Sequence, residues 1–195
     1  MSDKPREQAG AAALEFAVRD AHEGDAAALA AIYAHHVLHG LATFEIEPPD
    51  AAEIARRLKD LQARGYPWLV AESSDLSPTA SPRRLLGYAY AGPYRARAAY
   101  RHTVEDSIYL CPEAAGQGLG RALLVHLIEA AVSRGYRQMV AVIGDSDNAA
   151  SIGLHAACGF EPAGMLRAVG FKFGRWVDSV QMQRALGPGA STPPD

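Results

Sequence analysis

The segment Tyr109–Leu124, YLCPEAAGQGLGRALL, sets Gly116, Gly118 and Gly120 between an apolar strand-like run and an amphipathic helical run. Glycines permit backbone angles that other residues resist, and they let an anion approach the main chain. The unpaired N–H groups and positive dipole end at a helix start favour negative charge. Arg121 in the first turn adds a cation. The pattern reads as a site for a phosphorylated ligand, although a tight strand-to-helix turn without a ligand would use the same glycines. The spacing does not match G-x-G-x-x-G, which disfavours a dinucleotide fold, and G-x-x-x-x-G-K-[ST] is absent. His35, His36 and His39 form a second group, with His35 and His39 on one helical face. No Cys or carboxylate at ligand spacing accompanies them, so no metal is expected.

The elements that position these residues alternate along the chain. Phe16–Arg19 reads as a short strand, and Glu23–His39 has helical spacing through Ala28, Leu29, Ile32 and Tyr33. Asp50 is placed as an N-cap with Glu53 three residues on, a capping-box pattern, before a helix through Ile54, Leu58 and Leu61 that stops near Gly65. Trp68–Glu72 and Leu85–Ala91 read as an antiparallel pair of strands joined by the loop Ser73–Arg84. Thr103–Leu110 is a strand, Gly118–Arg134 a helix and Gln138–Ile143 a buried strand. Asn148–Cys158 is a helix ended by Gly159, and two last strands fall in Met165–Phe173 and Val177–Arg184. The order is mixed α/β, a central sheet covered by helices. Residues 1–15 and 187–195 read as disordered tails around one domain at 16–186.

Composition agrees with a globular chain. Of 195 residues, 49% are hydrophobic and 21% charged, which excludes disordered, collagenous and coiled-coil classes. A formal charge of −3 gives no general affinity for nucleic acid or an anionic membrane. No run approaches the length of a membrane span, and the start carries no signal peptide. Cys111 and Cys158 read as buried thiols, and the location as cytoplasmic.

The glycine turn resembles the pyrophosphate loop [RQ]-x-x-G-x-[GA] of the GNAT superfamily of acetyl-CoA-dependent N-acetyltransferases. Gly118 and Gly120 match its glycines, while Ala115 stands where Gln or Arg is usual. Asn148-Ala149-Ala150-Ser151, followed by His155 and Gly159-Phe160, resembles that family's N-x-x-A-x-x-x-Y-x-x-x-G-F helix, with His155 at the Tyr position. The segments AIYAHHVLHGLATFE, GYAYAGPYRARAAYRHTVEDSIY, VAVIGDSDNAASIGLHAACGF and GFKFGRW are very similar to phosphinothricin and methionine sulfone/sulfoximine N-acetyltransferases. The resemblance runs from about Phe16 to Leu186. It implies the GNAT fold, a single domain with a mixed, mostly antiparallel sheet flanked by helices. It also implies acetyl-CoA as co-substrate, a homodimer, and a small amine carrying a carboxylate as acceptor.

The same resemblance distributes the site. Coenzyme contacts fall on the strand backbone of Ile108, Tyr109 and Leu110. They continue through the turn at Gly116, Gln117, Gly118, Leu119, Gly120 and Arg121, and reach Asn148 and Ser151. An α-amino group is substantially protonated at neutral pH, with a pKa of about 7.7–8.0, so transfer needs a base. The resemblance assigns it to Glu105; the competing reading is a surface ion pair with Arg101. His155 stands as a candidate acid for the leaving thiolate, or as a packed core histidine. Arg95, Arg97 and Arg101 suit bidentate recognition of a carboxylate, Arg95 best by position, with a solvated charge as the other reading of each and the leading one for Arg97. Phe44 and Lys172 are placed in the wall of the acceptor pocket, with core packing the competing reading of Phe44. Acetyl transfer to a protein amine and a catalytically silent acyl-CoA sensor are the other readings of the chain.

Overall fold

A computed structural model describes residues 14–74 and 84–194. Most of the Ser73–Arg84 loop (75–83) and most of the amino-terminal tail (1–13) lie outside the described residues. Seven strands among them form one open sheet in the order β1-β2-β3-β4-β5-β7-β6. The strands are β1 (Phe16–Asp20), β2 (Trp68–Ser73), β3 (Leu85–Pro93), β4 (Thr103–Leu110), β5 (Gln138–Gly144), β6 (Glu161–Lys172) and β7 (Arg175–Ala185). Every neighbouring pair is antiparallel except β4–β5, which is parallel. Four helices flank the sheet: α1 (Ala26–His39), α2 (Ala51–Ala63), α3 (Leu119–Ser133) and α4 (Ala149–Ala157). Leu29 and Val37 of α1, Leu58 of α2, Leu123, Leu124 and Leu127 of α3, and Val70, Tyr88 and Met139 of the sheet are fully buried between these layers.

The first sequence helix divides in two, because Glu23–Asp25 is a 3-10 turn and α1 begins at Ala26. Asp25 is the cause: its carboxylate accepts two bonds from the Arg19 guanidinium and one from the His22 N–H, which fixes the turn. At α2 the Asp50 carboxylate accepts from the Glu53 N–H at 2.8 Å. The reciprocal half of the capping box is not made, since Glu53 spends its carboxylate on Arg56 and Arg57. The stretch after β7, expected as a frayed tail, runs in turns tied by Arg137, which donates to the carbonyls of Gly189 and Thr192.

The site depends on one break in the sheet. β4 pairs with β3 along nearly its whole length, from Val104 to Leu110, and β5 pairs with β7 from Gln138 to Gly144. Between β4 and β5, however, pairing stops at Asp106↔Ala141. Beyond it the two strands separate, leaving residues 107–110 of β4 without a ladder partner on that side. Main-chain donors and acceptors there are obligatory bonding groups. A cleft therefore opens in the middle of the sheet, edged by β4 peptide groups that have no strand partner on that side.

Candidate active site

The cleft is bounded by Asp106, Ser107, Ile108 and Tyr109 on β4 and by Ala141, Val142, Ile143 and Gly144 on β5. Asn148, Ser151 and His155 of α4, with Ala42, complete its lining. Side chains alternate across a strand, so β4 presents two different surfaces. Tyr109 packs against Tyr33 of α1, ring centroids 4.9 Å apart, which puts Glu105, Ser107 and Tyr109 on the α1/α2 side. Asp106, Ile108 and Leu110 face α3 and α4. Glu105 thus shares a face with Tyr109, while Ile108 and Leu110 of the expected coenzyme strand lie on the other.

The glycine turn lies at the open end of this cleft. Gly116 and Gly118 have φ of +76° and +82°, angles that L side chains rarely adopt, and nothing lies within 4 Å of where a Cβ would project. Gly118 is the N-cap of α3, so the first N–H groups of the helix have no acceptor within it. Leu119 and Gly120 are buried, seating that first turn against the core. Gln117 and Arg121 are exposed, and the Gln117 amide donates to the Glu113 carbonyl. Such a turn suits an anionic group, and the β4 edge without a ladder partner leads from it into the cleft. Asn148 has a structural task as well: its side chain caps α4 by accepting from the Ser151 N–H at 3.1 Å.

Glu105 is half-buried and makes no ion pair with any described residue, Arg101 included. Burial pushes its carboxyl above the ordinary range, the neighbouring Asp106 charge adds to the rise, and Arg95 opposes it. Arg95 is exposed and lies over the Tyr94 ring, 4.7 Å from its centroid. Arg97 and Arg101 flank the turn Ala98–Tyr100 and are exposed, without ion pairs to described residues. Only Arg95 of the three has its charge felt at Glu105.

Phe44 and Lys172 meet at the β6 end of the site. A Cβ on Gly170 would run into the Phe44 ring, so that glycine lets the ring lie against the β6 backbone. Lys172 is buried and donates through Nζ to the Thr43 carbonyl at 2.9 Å. Burial lowers its ammonium pKa, partly countered by Glu45. Both side chains therefore fix the loop after α1 against β6. His36, one of the three α1 histidines, donates to the Leu110 carbonyl at 2.8 Å.

His155 is almost wholly buried. Its Nδ1 lies 2.7 Å from the Ser151 carbonyl and its Nε2 3.0 Å from Asp106 Oδ2. Burial alone would lower its pKa, but the hydrogen bond and charge of Asp106, with the Ser151 carbonyl, raise it overall. Asp106 is absent from the residues expected from sequence. Its signal was an acid interrupting the apolar stripe Val104, Ile108, Leu110 on the inward face of β4.

Splayed parallel strands beside a helix opened by glycine are the arrangement that the GNAT resemblance implies. The chain belongs to that family: residues 18–181 match the acetyltransferase (GNAT) domain. It is 52% identical over 178 residues to a phosphinothricin N-acetyltransferase of Alcaligenes faecalis, covering 91% of this chain and 86% of that one. It is 41% identical over 180 residues to an L-methionine sulfoximine/L-methionine sulfone acetyltransferase of Pseudomonas aeruginosa, covering 92% and 100%. The crystal structure of a GNAT superfamily phosphinothricin acetyltransferase from Sinorhizobium meliloti, in complex with AcCoA, superposes with a TM-score of 0.86. That pair is 45% identical, with 93% of this chain and 94% of the other covered. The chain is an N-acetyltransferase by family, with the GNAT fold expected from its sequence.

Proposed function

We propose that the protein transfers an acetyl group from acetyl-CoA to the amine of a small amino acid or analogue bearing a free carboxylate. Phosphinothricin and methionine sulfone or sulfoximine are the type compounds. The observation that carries this reading is the pairing break after Asp106↔Ala141, which frees the β4 edge between Glu105 and the cradle-like turn at Gly116–Gly120. The cradle fits a pyrophosphate because its glycines have no side chain to obstruct backbone N–H donors. Asn148, Ser151 and the peptide groups of Ile108–Leu110 hold the rest of the coenzyme, whose acetyl thioester supplies the group transferred.

Glu105 receives the amine proton as the N–C bond forms and the C–S bond breaks. Its raised pKa brings it closer to that of the amine, which favours proton transfer. A backbone N–H within Ser107–Leu110 steadies the carbonyl oxygen as it gains charge. Arg95 meets the acceptor carboxylate, with Arg97 and Arg101 widening the cationic surface. Phe44 and Lys172 set the far wall. The proposed chemistry requires no metal.

The reading extends to a cytoplasmic homodimer. Two buried, unpaired thiols suit a reducing compartment. On the β6–β7 hairpin Met165, Leu166, Val169, Phe171, Phe173 and Trp176 are exposed, apolar surface that a second copy would cover. Among the described residues no helix is long and apolar enough to cross a membrane. The deciding experiment is thiol release from acetyl-CoA over a panel of free amino acids and analogues, with the N-acetylated product identified by mass spectrometry. Tight coenzyme binding with no product across the panel refutes the reading.

A further inference from the structure

We propose that Asp106 is a positioning residue for departure of the coenzyme thiolate: it holds the His155 ring in one orientation and doubly protonated, so that a fixed positive charge borders the cleft. The inference rests on the acetyl-transfer reading above. It begins with what each ring nitrogen faces. The Ser151 carbonyl can only accept, and at 2.7 Å it lies well inside the 3.4 Å of the Ser151 hydroxyl, so Nδ1 carries a hydrogen toward the carbonyl. An ionised Asp106 can likewise only accept, so Nε2, 3.0 Å from Oδ2, carries the second.

Burial makes this pairing mutual. The two side chains are 3% and 1% exposed. The second carboxylate oxygen, Oδ1, has no hydrogen-bond partner among the described residues. A buried carboxylate without a counter-charge is costly, and His155 is the cation in contact with it. The Phe160 ring stands edge-on to the imidazole, centroids 5.0 Å apart, and closes another side. The remaining titratable group nearby is the Cys158 thiol, which burial keeps protonated; Arg121 and Arg184 are felt at that thiol and not at the ring. Glu105 points to the opposite face of β4.

Both N–H bonds of His155 are therefore spent on protein acceptors, and neither is aimed at the cleft that the ring lines. In the transfer the amine nitrogen bonds to the carbonyl carbon, its proton goes to Glu105, and the C–S electron pair leaves on sulfur. A held imidazolium beside the cleft stabilises that developing charge without giving up a proton. Asp106 acts only through the ring.

Nitrogen NMR of the imidazoles in the full-length protein, free and with coenzyme A added, reads the ring directly. At about pH 7.5 the His155 ring is expected doubly protonated in the wild type and neutral in Asp106→Asn. The same variant should lose at least about tenfold in kcat, with acetyl-CoA Kd within about twofold of wild type. The Asp106→Asn/His155→Ala double variant should be no slower than His155→Ala alone. A neutral wild-type ring overturns the proposal even if no Asp106 variant folds. Additive losses in the double variant also overturn it while leaving acetyl transfer intact. Absence of any acetylated product from the wild type, with the ring still charged, overturns the transfer reading and the thiolate role with it.

Discussion

Replacing Glu105 by Gln keeps the side chain's volume and removes its capacity to take a proton. Positioned proton transfer contributes about 10²–10⁴-fold, or about 2.7–5.5 kcal/mol of barrier, so kcat should fall at least about a hundredfold. Coenzyme binding should be unaffected, because the carboxylate is on the α1/α2 side of β4 and the cradle on the other. The environment adds a pH signature. Burial and Asp106 raise the Glu105 pKa above the ordinary glutamate value of about 4.3, so wild-type kcat/KM should climb with pH through that raised value. The climb should vanish in Glu105→Gln, and the deficit should shrink at alkaline pH, where more acceptor amine is already neutral. Stability should move the opposite way. A raised folded pKa contributes stability that is complete below the unfolded value and lost as pH rises through the folded one. Removing the ionisable group should therefore raise the melting temperature at neutral pH and gain little near pH 4. Steady-state thiol release from about pH 5 to 9, calorimetry with acetyl-CoA and melting curves at both pH values measure all three. A folded variant within about tenfold of wild type that keeps the acid limb refutes the base assignment.

Gly118→Val forces a β-branched residue into φ +82° at the mouth of the cradle; the acetyl-CoA dissociation constant should rise at least about tenfold, about 1.4 kcal/mol, by calorimetry. Arg95→Ala should weaken the acceptor far more than the coenzyme. By removing the charge that holds Glu105 down, it should also shift the acid limb of kcat/KM to higher pH. Arg19→Ala should cost about 1.5–3 kcal/mol in urea unfolding at neutral pH, because Asp25 loses both guanidinium bonds. Burial alone would raise the Asp25 pKa, but Arg19 and the His22 N–H bring it below the ordinary value. That stability is present above about pH 3.9 and lost as pH falls through the lowered value, so the variant's deficit should narrow in acid. Gly170→Ala should push the Phe44 ring off β6 and raise KM for the acceptor, with acetyl-CoA binding unchanged in the same calorimetric assay.

What could be read from the chain was whatever depends on neighbours in sequence. β4 occupies the expected residues 103–110 because TVEDSIYL alternates and is closed by Cys111-Pro112. The Asp50 cap, the Gly65 stop and the Gly118 turn each rest on one residue's local chemistry, and the structure places all three. The capping box failed for a reason of the same kind viewed from further away. Glu53 has two arginines within one helical turn, and charge-assisted bonds to them outweigh a backbone N–H. The 3-10 turn before α1 was likewise hidden, because its determinant is Arg19 reaching across from β1.

The cleft marks where sequence reasoning ends. No local signal says that β4 and β5 pair over four residues and then part, since both strands continue in register with their other neighbours. The parting nevertheless gives each acid of Glu105-Asp106 its role. Adjacent residues on a strand face opposite ways, so one dipeptide serves two sides of a single cleft. Glu105, toward α1 and α2, stays partly solvated and unpaired. Asp106, toward α4, is buried and bound to a histidine forty-nine positions later. That helix registers against β4 because Asn148 caps it four residues after Gly144 closes β5. Shift α4 by one residue and the Asp106 carboxylate would face the apolar side chain of Leu154 or Ala156 instead of an imidazole. The charge pattern of the site thus follows from the cap at Asn148 as much as from the acids themselves.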